Sequence, residues 1–80
     1  PYILQYYQNF IYMTSGKTIS ENIKRLRNKL GLTQDDLAKK ADIKYTTLMK
    51  VESGAVNKPS VQTMAKIVKA LSVSIEELIK

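Results

Sequence analysis

The chain has 80 residues, enough for one hydrophobic core, and its 13 Lys and Arg against 7 Asp and Glu give a formal net charge of +6, a balance that favours a polyanionic partner. It contains no Cys and no His, which removes disulfides, thiolate nucleophiles, histidine general bases and most transition-metal sites. Its acidic residues are scattered, with the adjacent pairs Asp35-Asp36 and Glu76-Glu77 near expected helix starts, so neither a catalytic carboxylate cluster nor a metal or cofactor site is expected and the chain reads as a non-enzyme.

The first sixteen residues, PYILQYYQNFIYMTSG, carry no charge and hold five of the six aromatic residues. This stretch is too short and too rich in tyrosine for a membrane span and lacks the basic start of a secretory signal, so a cytoplasmic location with no membrane partner is expected. Residues 1–16 therefore separate from 17–80 as an aromatic N-terminal extension. One reading makes it an addition ahead of a start at Met13; another makes it an arm that packs on a second subunit, since aromatics left in water form an adhesive patch.

The rest of the chain predicts five helices. Thr18-Ile19-Ser20-Glu21 reads as a capping box opening the first, with Ile19, Ile23, Leu26 and Leu30 as its apolar stripe and Gly31 as its stop. Thr33 with Asp36 three residues on caps the second. The third starts near Lys44 and ends before Gly54. Ser60 caps a fourth helix with Val61, Met64, Ile67, Val68 and Leu71 inward, and Ser74 with Glu77 predicts a capping box for a short fifth helix carrying Ile75, Leu78 and Ile79.

Residues 34–52, QDDLAKKADIKYTTLMKVE, are the most specific part of the chain. Leu37, Ala38 and Ala41 share one helical face, and Ile43, Leu48 and Val51 supply a matching face beyond a break at Asp42, a residue that tolerates the left-handed conformation. Ala38 is small where the two helices approach. This is the pattern of a helix-turn-helix. The second helix of the pair leaves Lys44, Tyr45, Thr46, Met49 and Lys50 outward.

The segment resembles the helix-turn-helix of the phage repressor and Cro family, also called the XRE family. The likeness runs from about Ile19 to Ile79 through GLTQDDLAKKA (31–41), VESG (51–54), NKPSVQTMAKIVKAL (57–71) and VSIEEL (73–78). Asp42 departs from it, because the family usually has glycine there. The resemblance implies an all-α, compact five-helix bundle of the phage-repressor DNA-binding domain type. It further implies a sequence-specific transcriptional regulator that binds double-stranded DNA with residues 44–53 in the major groove.

Carried onto this chain, the resemblance makes Lys44, Tyr45, Thr46 and Lys50, with Met49 as an apolar contact, the base-contacting residues. Thr33, Gln34, Asn57 and Lys58 become the phosphate contacts that set position without reading sequence. Arg27 and Glu52 become a structural salt bridge between the first helix and the end of the recognition helix. One domain of this size covers about one half-site, so a homodimer on an inverted-repeat operator is expected, with Val73, Ile75, Leu78 and Ile79 either at the dimer interface or in the core. Family members of this size include phage repressors, restriction-modification controllers and antitoxins, and the DNA-binding part of longer repressors is similar. A toxin or other protein partner is the alternative reading.

Overall fold

The computed structural model describes residues 16–56 and 59–80, which fold into five helices without a strand. They are α1 (Gly16–Lys29), α2 (Gln34–Ala41), α3 (Tyr45–Glu52), α4 (Val61–Leu71) and α5 (Glu76–Ile79). The expected all-α class is what forms. The aromatic extension up to residue 15, together with Asn57 and Lys58, lies outside the described residues.

Helix α1 begins two residues earlier than its predicted box. Thr18 is thus already inside the helix rather than at its cap, and no acidic residue stands in the first turn. Its inner face carries Ile19, Ile23 and Leu26, all buried, while Leu30, predicted to continue the stripe, is 50% exposed because α1 has ended at Lys29. Gly31 takes φ +71°, and the amides of Gly31 and Leu32 bond back to the carbonyls of Asn28 and Arg27. That is a Schellman closure, which glycine enters without the steric cost of a Cβ.

Helix α2 opens on the predicted reciprocal cap. The Asp36 amide donates to Thr33 Oγ1 and the Thr33 amide to Asp36 Oδ2, each at 3.0 Å. The Thr33 amide is the main reason the Asp36 carboxyl titrates below its ordinary value, with the Thr33 hydroxyl second. An exposed Lys39–Asp35 pair at 3.0 Å joins successive turns of α2 and raises the Lys39 pKa.

Asp42 then adopts φ 56°, ψ 47°, and the amides of Asp42 and Ile43 bond to the carbonyls of Lys39 and Ala38. The turn that usually takes glycine is thus made by one of the few other residue types that tolerate it. Ala38 and Ala41 are 2% and 4% exposed, so small side chains line the α2 face packed on its neighbours.

Helix α4 starts on Ser60, whose hydroxyl accepts from the Thr63 amide, and ends at Ser72 in a second non-glycine left-handed turn. The capping box expected at Ser74 and Glu77 does not form. Helix α5 starts one residue later, its N-cap position is Ile75 without a side-chain cap bond, and the Glu77 amide reaches the Ser74 carbonyl instead. Four residues are too few for a stable isolated helix, so α5 depends on its packing.

α1 packs on α3 and α5, and α2 packs on α3 and α4. Leu37, Leu48, Met64, Ile67 and Leu78 meet at the centre with no exposed surface, each contributing about 1.5–3 kcal/mol relative to exposure. Ile75 and Leu78, at 8% and 0% exposure, belong to this core, so their apolar surface is used within the chain; Val73 and Ile79 pack on its edge and stay half-buried.

Candidate nucleic-acid interface

Helix α3 presents two faces of different character. Inward, Leu48, Val51 and Glu52 are buried at 0%, 2% and 1% exposure. Outward, Lys44, Tyr45, Thr46, Met49 and Lys50 are all exposed, with Met49 at 43%. The five expected base-contacting residues therefore fall on one accessible surface, and Met49 is not part of the core.

A carboxylate without solvent must be matched by charge and hydrogen bonds. Glu52 is matched on several sides. Arg27 grips it with two prongs, Nε to Oε2 at 2.9 Å and Nη2 to Oε1 at 3.1 Å, while Arg27 Nη1 donates to the Leu32 carbonyl at 2.8 Å. Gln34 Nε2 adds a third donor to the carboxylate at 3.2 Å. Ser20, buried on α1, donates its hydroxyl to the backbone carbonyl of Glu52. Among the described residues no buried side-chain nitrogen or oxygen lacks a partner.

The network continues outward. Because the carboxylate of the ion pair only accepts, the Gln34 amide nitrogen faces it and the amide oxygen is turned the other way. That oxygen receives the Tyr45 hydroxyl at 3.3 Å. A continuous path thus runs from Arg27 on α1 through Glu52 and Gln34 to Tyr45, the first residue of α3. Tyr45 is 42% exposed and held at its hydroxyl end.

Three side chains have hydrogen-bond partners beyond those expected. The Gln34 side chain, expected to anchor a phosphate, has both ends of its amide engaged inside the protein. Ser20 and Asn22 were not anticipated; Asn22 Nδ2 donates to the Leu78 carbonyl at 2.7 Å and ties α5 to α1. A signal for Ser20 was present, since Ile19, Ser20, Ile23, Leu26 and Arg27 follow the i, i+1, i+4, i+7, i+8 spacing of one helical face.

Helix α3 begins at Lys44, which has extended backbone and supplies no side-chain cap, so the first amides of α3 keep their affinity for an anion. At the start of α2, Thr33 is exposed and its hydroxyl accepts from the Asp36 amide. Nothing among the described residues groups three or more potential metal ligands, and no described helix is long and apolar enough to cross a membrane.

Residues 23–78 match the family described as Helix-turn-helix. An uncharacterized HTH-type transcriptional regulator from Archaeoglobus fulgidus is 38% identical over 56 residues, covering 70% of this chain and 79% of the relative. Among solved structures, the biofilm master regulator SinR in complex with DNA superimposes with a TM-score of 0.75 at 31% identity, over 78% of this chain and 98% of that one. The restriction-modification controller protein C.AhdI from Aeromonas hydrophila gives 0.74 at 27% identity, over 79% and 94%. The wild-type controller C.Esp1396I gives 0.68 at 30%, over 81% and 92%.

Proposed function

The chain belongs to the XRE-type helix-turn-helix family and is a DNA-binding transcriptional regulator rather than an enzyme, and from that premise we propose how it reads DNA. Helix α3 enters the major groove with its N-terminal end foremost, and Lys44, Tyr45, Thr46, Met49 and Lys50 meet the base edges. The two-sided character of α3 carries this reading: five exposed donors and apolar groups outward, and inward a carboxylate that α1 and α2 hold in place.

Lysine ammoniums donate to guanine O6 and N7, Thr46 bonds a base edge or packs on a thymine methyl, and Met49 offers apolar contact. Tyr45 approaches with its ring already oriented by Gln34, which lowers the entropy lost on binding. The Thr33 hydroxyl and the free amides at the start of α2 hold one phosphate, while the carboxylates of Asp35 and Asp36 nearby are offset by Lys39 and by the cap. Asn57 and Lys58 are proposed as the second phosphate anchor, on residue type and position in the loop after α3.

The working unit is proposed to be a homodimer whose recognition helices lie about 34 Å apart on an inverted repeat. Within the C-terminal region, Val73 and Ile79 have apolar surface to offer a partner, whereas Ile75 and Leu78 are committed to the core. Selection from a pool of random duplexes tests the reading. Enrichment of two half-sites about 10 base pairs apart supports it. Weak, salt-sensitive binding with no enriched sequence rules out base reading by α3, and a single enriched half-site bound by a monomer rules out the dimer.

A further inference from the structure

Helices α2 and α4 meet at a groove of roughly 430 Å³ whose floor is Ala41 and Ala70 and whose rim is Lys40, Asp42, Lys66 and Lys69. It shares no residue with the Arg27-Glu52-Gln34-Tyr45 path or with the outward face of α3. We infer that this groove docks an acidic segment of a partner protein, a role separate from the proposed reading of DNA.

The fold leaves positive charge uncompensated along this groove. Lys39, one position before it, is paired with Asp35 at 3.0 Å. The side chains of Lys40 and Lys69 form no ion pair or hydrogen bond among the described residues, and that of Lys66 reaches only the Asp42 backbone carbonyl, at 3.5 Å. Three lysines and one aspartate therefore make up its charged lining. Lys66 and Lys69 lie on adjacent turns of α4 and Lys40 faces them from α2, so positive charge is spread along a channel rather than gathered at a point.

Shape and polarity then select the occupant. The floor is two buried alanines, at 4% and 3% exposure, which let a side chain or backbone approach closely. A compact phosphate is poorly served, because no arginine among the described residues lines the groove to fork onto it. The Asp42 amide is already bonded to Lys39. No aromatic ring among the described residues lines the groove, so they give a nucleotide base nothing to stack on. Glutamates spaced along a peptide match lysines spaced along a groove, each pair long enough to keep its head in water.

The test titrates the whole chain with an acetylated dodecapeptide of alternating Glu and Ala at low ionic strength, following amide shifts. Lys40→Gln/Lys69→Gln is the comparison variant, both sites being exposed and outside the core. Shifts centred on α2 and α4, with affinity falling about tenfold in the variant, are expected. Equal binding by the variant overturns the proposal. Tighter binding of tripolyphosphate at the same residues overturns it in favour of a small anion. A salt slope for duplex binding that drops by about 0.9 per lysine removed assigns the groove to the DNA path instead.

Discussion

Two junctions of this chain share one backbone solution and lead to different ends. At the α2–α3 junction Asp42 has φ 56°, and at the α4–α5 junction Ser72 has φ 58°; in both, the left-handed residue and the one after it close their amides back on the preceding helix, and an apolar residue, Ile43 or Val73, packs on the core edge. The helices beyond the two turns differ. α3 is eight residues long, with a buried carboxylate tied to α1 and α2, whereas α5 is four residues long and is tied to α1 by the Asn22 amide on the Leu78 carbonyl. Turn geometry only aims the next helix, and buried electrostatics decide whether it is held firmly enough to present side chains.

The largest expected effect tests that difference. Arg27→Met keeps an apolar stem but strands Glu52 at 1% exposure, and should cost about 3–5 kcal/mol by denaturant or thermal unfolding. A loss under about 1 kcal/mol, the range of an exposed pair, would place α3 on the same footing as α5. Asn22→Ala removes the matching tie on α5 and should cost about 1–2 kcal/mol, because a partly buried carbonyl loses its donor.

Changes at the turns themselves should be smaller and alike. Asp42→Gly and Ser72→Gly relieve a non-glycine left-handed conformation, and each should stabilise by about 0.5–1 kcal/mol in urea unfolding. Unequal responses would show that one junction carries strain the other lacks.

The smallest effect is on the pH profile. The Asp36 carboxyl titrates below its ordinary value because it accepts from Thr33 in the folded state. Its contribution is complete above the unfolded pKa, about 3.9, and is lost as pH falls through the lower folded value. Asp36→Asn should flatten the acid limb in that window and leave the alkaline limb unchanged. A profile that stays as steep as wild type would show that the cap does not depend on ionisation.

Much of this arrangement was legible in the chain. The five helices follow from apolar spacing and from Thr33, Ser60, Gly31 and Asp42 at their ends, because those residues act locally. The terminal segments were harder to place, since Thr18 and Ser74 fit a cap pattern that packing at α1 and α5 overrode. The Arg27–Glu52 pair came from family likeness, as nothing local joins residues 25 apart. The side-chain path through Gln34 to Tyr45 was illegible, because an amide's partners depend on how α2 and α3 cross in space.

The most direct test of the division between an inner scaffold and an outer reading face of α3 uses one selected duplex and its single-base-pair variants, with wild type and Lys50→Ala compared. Lys50→Ala should fold with unchanged stability and lose about 1–3 kcal/mol of discrimination at one base pair while keeping it elsewhere. Uniform weakening on every duplex, or a fall in melting temperature, would contradict the assignment of that face to base reading.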